Sequence, residues 1–193
     1  MKTTTWTTKG FEAFRRGTFG NGGQNLYVSK KGVLQRIFQY DLNHNGWFDL
    51  VFANCQNHHE SAESTVYTED GNRVELPGQG CVSGLVADLY ETGYQDIVLC
   101  GRYDMAAPYA TTDIYFGGPD GYSTNNHIHI PTPWSENVAA GRFKRGRLAL
   151  AFAMPIYNEV RIFYQTEFGF EWEEGRIDLP IDADQIADRK SVV

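Results

Sequence analysis

The chain has 193 residues, 24 acidic and 17 basic, giving a formal charge of −7 that argues against a nucleic-acid ligand, whose binders carry a basic face. Apolar residues at 41% and aromatic residues at 14% are enough to build a core, which excludes a disordered chain. No run of about 18 apolar residues occurs, so no membrane-spanning helix is expected.

Residues 1–16 read as an N-terminal extension, without the apolar stretch of a signal peptide. Beyond them, short β-rich runs alternate with Gly, Asp and Asn clusters, and no long helix-period pattern appears. The expectation is an all-β chain.

The first β-rich piece, Gly17–Val28, matches Gly141–Phe152 in spacing and reads as the outer part of an incomplete unit over residues 17–33. A complete unit follows over 34–80. Its centre is Asp41-Leu-Asn-His-Asn-Gly46-Trp-Phe-Asp49, set between the strand-like runs Leu34–Tyr40 and Asp49–Ala53. The next unit, 81–134, repeats this as Asp88-Leu-Tyr-Glu-Thr-Gly93-Tyr-Gln-Asp96. The third, 135–180, carries Gly141-Arg-Phe-Lys-Arg-Gly146-Arg. Residues 181–187 read as the start of another unit. Residues 188–193 break the repeat, look like a translated sequencing adapter, and are assigned no role.

Each unit also has a second landmark. Asp70-Gly71 and Asp120-Gly121 are hairpin signals between β-rich runs, echoed by Gly169. A unit therefore reads as strand, polar loop, strand, long loop, strand, Asp-Gly turn, strand. Four strands in about 50 residues is the size of one β-propeller blade. The expected fold is a propeller segment of about three to four blades, part of a larger ring.

The polar loops carry the chemistry. Ca²⁺ takes six to eight oxygens, which a tight loop supplies from alternate positions with Gly permitting the turn. Asp41, Asn43, Asn45, the Trp47 carbonyl and Asp49 provide such a set. An EF-hand would need an acidic residue at position twelve and a helix on each side, but position twelve is Phe52. The second loop is poorer in side-chain oxygen: Asp88, Tyr90, Thr92, Tyr94 and Asp96 hold the equivalent positions. The third places Arg142, Arg145 and Arg147 where carboxylates would sit, so a guanidinium is expected to supply the positive charge there.

No catalytic residue is assigned. Asn57-His-His-Glu-Ser61 is the most enzyme-like cluster, but adjacent residues on an extended segment point in opposite directions and rarely share an ion. Tyr103, Tyr109 and Tyr157 lie in the long loops and could form an aromatic surface for a glycan or protein. Trp47 and Trp134 are expected to be packing residues. Cys55, Cys81 and Cys100 fit no zinc spacing and are expected as buried thiols, one disulfide remaining open.

The motif Asp-x-Asn-x-Asn-Gly-x-x-Asp-Leu at Asp41–Leu50, its weaker relative at Asp88–Ile97 and the turn at Tyr115–Tyr122 resemble the FG-GAP/VCBS repeat family of β-propellers, which includes integrin-alpha-like repeats. The resemblance spans about Gly17 to Ala187. It implies a seven- or eight-bladed ring, blade-edge calcium, and a secreted or cell-surface bacterial protein. Further blades would come from a longer chain. Members serve as adhesion modules, carbohydrate-binding modules and parts of polysaccharide-degrading enzymes. The expected function is a calcium-stabilised binding or scaffold module for a glycan or protein; the alternative is a segment of such an enzyme.

Overall fold

The computed structural model describes residues 26–28, 34–47, 49–56, 63–68, 70–78, 80–102, 110–143, 146–167, 169–170 and 175–181. These residues are all-β, apart from one turn of 3-10 helix at Pro155–Tyr157. The first sheet holds β1 (Leu26–Val28), β2 (Leu34–Tyr40), β3 (Asp49–Gln56), β4 (Ser64–Tyr67) and β5 (Arg73–Leu76). The second holds β6 (Cys81–Ala87), β7 (Asp96–Gly101), β8 (Thr112–Tyr115) and β9 (His127–Ile130). The third holds β10 (Asn137–Phe143), β11 (Arg147–Met154), β12 (Glu159–Tyr164) and β13 (Arg176–Leu179). Within each sheet, strands pair antiparallel with their neighbours in sequence.

The polar loops join β2 to β3 and β6 to β7, and the Asp70-Gly71 and Asp120-Gly121 turns join the last two strands of their sheets. The segment 26–28, expected in a separate unit over 17–33, instead pairs with β2 through Leu26↔Arg36 and Val28↔Leu34. It extends the first sheet to five strands. A Gly-rich spacing match does not reveal pairing, because a three-residue strand owes its place to whichever open edge lies beside it. Among the described residues the three sheets form no closed barrel or ring.

The sheets pack face to face, with β6 lying against β2 and β3 on one side and β10 on the other. Strand β7 explains how. All six of its residues are buried, as expected of a strand covered on both faces. Side chains alternate, so Ile97 and Leu99 enter one apolar cluster while Val98 and Cys100 enter another. The first cluster joins Leu42, Val51, Val66 and Leu76 to Cys81 and Tyr115. The second joins Leu89 and Ile114 to Leu150, Phe152, Met154 and Phe163. Cys81 and Cys100 are thus buried thiols, one in each cluster.

Candidate functional site

Strands flank the Asp41–Asp49 loop on both sides and Phe52 lies within β3, so no EF-hand is built here. The loop is shaped by its own side chains. Asp41 Oδ1 accepts the Asn45 N–H at 3.0 Å, and Asp41 Oδ2 accepts the Gly46 N–H at 2.8 Å. Asn43 Oδ1 accepts the Asn45 N–H at 3.2 Å, and Asn45 Oδ1 accepts the Trp47 N–H at 2.9 Å. Asp49, fully buried, accepts the Leu42 N–H at 2.9 Å and closes the loop. His44 and Gly46 adopt φ of 57° and 84°, the left-handed region that the tight turn requires.

The second loop repeats this network 47 positions later. Asp88 Oδ1 and Oδ2 accept the Thr92 and Gly93 N–H groups at 2.9 and 2.8 Å. Thr92 Oγ1 stands in for Asn45 and accepts the Tyr94 N–H at 3.3 Å. Asp96 accepts the Leu89 N–H at 3.0 Å, and Glu91 and Gly93 have φ of 56° and 84°. Leu42 and Leu89, each one residue into its loop, are buried and root the loops in the two clusters.

Tyr90 is placed differently from the oxygen-donating position it occupies in the motif. Its ring packs edge-on against Phe116 and Phe170 with centroids 5.3 and 6.0 Å away. Burial there raises its hydroxyl pKa above the usual tyrosine value, Asp96 adding to the effect. Tyr94 is exposed, as is Trp47 at 49%, which corrects the expectation that Trp47 is a packing residue. It sits in the loop between β2 and β3.

Desolvation raises the pKa of Asp96, N–H bonds from Gly117 and Leu89 oppose this, and the charge of Asp88 adds to the rise. Two carboxylates facing one small loop are costly unless a cation joins them. The donor set fits Ca²⁺ in the first loop, where every candidate ligand is an oxygen. Each oxygen of Asp41 takes one N–H and retains a second acceptor site for an ion. The second loop offers fewer side-chain oxygens, because Tyr90 stands where the first loop has Asn43 and its ring is packed against Phe116 and Phe170.

In the third loop Arg142 Nη1 donates to the Gly146 carbonyl at 2.9 Å, while its other terminal nitrogen pairs with Glu91 of the second loop. The first and second loops also meet, with His44 Nε2 and Gln95 Nε2 3.2 Å apart. The three loops therefore run as a linked row. Between the first two lies a cleft of about 490 Å³, lined by Asn43, Asp70, Asn72, Tyr94, Asp120 and Tyr122. The Tyr122 hydroxyl donates to the Gln95 carbonyl at 2.8 Å, and burial pushes its pKa well above the usual tyrosine value.

Of the aromatic surface, Tyr157 is exposed at 48% on the 3-10 turn; Tyr103 and Tyr109 lie outside the described residues, as do His58, His59 and Glu60. A second cluster, marked by none of the sequence motifs, brings Asp113 on β8 together with His127 and His129 on β9. Its only signal was the alternation His-x-His on a strand, which puts both rings on one face.

The chain matches no family model, and no curated protein or solved structure matches it.

Proposed function

We propose that the chain is a segment of a calcium-stabilised β-propeller of the FG-GAP/VCBS kind, a binding or scaffold module of a secreted or cell-surface bacterial protein. The observation that carries this reading is the bonding pattern common to the two loops, in which Asp41 and Asp88 bind the corresponding backbone groups 47 residues apart. Such a loop joining β2 to β3 in the first sheet and β6 to β7 in the second suits one repeated blade.

On this reading Asp41, Asn43, Asn45, the Trp47 carbonyl and Asp49 hold one Ca²⁺, with Asp88, Thr92, the Tyr94 carbonyl and Asp96 as a weaker second set. The ion neutralises acidic side chains and orders the loop. Binding only the folded form, it stabilises by about 2.7 kcal/mol at a hundredfold excess over Kd. The ion fastens the fold and takes no part in turnover.

Recognition of a glycan or protein is assigned to the surface around the exposed Tyr157 on the 3-10 turn. Thermal unfolding in Ca²⁺ and in EDTA tests the calcium reading: a higher Tm with Ca²⁺ is expected, and identical curves overturn it. A glycan array and a Tyr157→Ala variant test recognition: binding weakened by the variant supports the assignment, and unchanged binding removes it.

A further inference from the structure

We infer that Asp113, His127 and His129 form a binding site for one divalent transition-metal ion of the zinc class, separate from the calcium loops.

The placement follows from register. Strand β8 pairs with β9 so that Asp113 lies opposite His129 and Tyr115 opposite His127. Residues two apart on a strand share a face, so all three candidate ligands project from the same side of the second sheet. One ligand atom from each lies within 4.8 Å of the others. Tetrahedral zinc ligands, at about 2.0–2.1 Å from the ion, stand about 3.4 Å apart, so small rotamer changes close the set. Asp113 and His129 are already in hydrogen-bond contact through Oδ1 and Nδ1.

An Asp–His pair alone would be an ordinary cross-strand contact. The second histidine changes the reading. Tyr115 stacks on the His127 ring with centroids 4.9 Å apart and an interplanar angle of 20°, and His129 meets that ring edge-on at 4.7 Å. His127 Nδ1 is buried and has no hydrogen-bond partner among the described residues. Buried polar atoms are nearly always satisfied, so an orphan nitrogen on a ring of this cluster calls for a ligand.

Asp113 is 3% exposed, and desolvation raises its pKa against the lowering pull of His129 and His127. Such a carboxylate gains from a nearby cation. Two imidazoles select a borderline ion such as Zn²⁺ over Ca²⁺, which prefers oxygen throughout. The His129 side chain is 57% exposed, which leaves an entry path and a fourth position open to water or an incoming ligand.

The test is calorimetric titration of the full chain with Zn²⁺, in excess Ca²⁺ and with thiols kept reduced. One saturable equivalent is expected. His129→Ala and Asp113→Asn should each weaken it at least about tenfold, and a His58→Ala/His59→Ala variant should leave it unchanged. Co²⁺ should give d–d absorption with no thiolate charge-transfer band. Absence of saturable binding, affinity retained in His129→Ala, or a thiolate band would each overturn the assignment. Should Asp113→Asn fail to fold, His129→Ala decides, because its side chain is mostly exposed.

Discussion

The guanidinium of Arg142, at the end of β10, pairs with the carboxylate of Glu91 in the loop between β6 and β7. Both side chains are largely exposed, at 53% and 72%, so the pair itself is worth only about 0–1 kcal/mol. The same guanidinium also donates to the Gly146 carbonyl, a bond of about 0.5–1.5 kcal/mol. Arg142→Ala should therefore lower stability by about 1 kcal/mol in low salt and less in high salt. Arg142→Lys should fall between, since an ammonium lacks the fork that reaches both partners. Urea unfolding at two ionic strengths checks this; equal stability of Arg142→Ala and wild type would remove the guanidinium's role in the third loop.

Asp49 has two expected roles that one variant can separate. Without metal, Asp49→Ala leaves the Leu42 N–H unpartnered in a buried position, costing about 1–3 kcal/mol. In Ca²⁺ the loss should be larger, because the variant also forfeits the ion. Most of the Ca²⁺-dependent Tm shift should vanish in Asp49→Ala, and the remainder in a double variant with Asp96→Ala. A single variant retaining the full shift would place the ion elsewhere.

Acidity should act on the metal-free protein through Asp96. Its folded pKa is raised, so near and above the ordinary carboxylate value the unfolded chain ionises first. The penalty is absent below that value, grows as pH rises through the folded pKa, and is complete above it. In EDTA, acidification from about pH 6 towards pH 4 should therefore stabilise wild type relative to Asp96→Asn. With saturating Ca²⁺ the sign reverses, since the ion needs the carboxylate charged. Parallel pH profiles of the two proteins in EDTA would contradict this.

Gly117 should not tolerate a side chain. A Cβ there would stand 2.2 Å from the Gln95 carbonyl oxygen, and Gln95 adjoins the loop-closing Asp96. The Gly117 N–H also donates to Asp96 Oδ1 at 3.0 Å. Gly117→Ala must displace one backbone segment, at about 1–3 kcal/mol. Denaturant midpoints measure the cost, and a neutral substitution would show that the turn is free to move.

The loops were legible in the sequence because their geometry is local: Asp41 and Asp88 reach backbone groups four and five residues away. The strands were legible for the same reason, each being a short β-rich run between turn residues. What depends on pairing was hidden. Asp113 and His129 are 16 residues apart in sequence and meet only through the β8–β9 register. Tyr90 sits at a motif position, yet Phe116 and Phe170 draw its ring into the packing, since an aromatic ring gains more from burial than from water contact. Arg142's bond to Glu91 crosses 51 positions, and its charge alone did not name its partner.

Because β7 feeds alternate side chains into opposite clusters, the second sheet is the common wall of two otherwise separate cores. Cooperativity in this chain is then a nearest-neighbour property, as in a short linear array. Loosening of the first sheet uncovers Cys81 but leaves the Cys100 side of the wall packed; loosening of the third does the reverse. The two thiols are a built-in pair of reporters, and their relative alkylation rates reveal from which end the array opens.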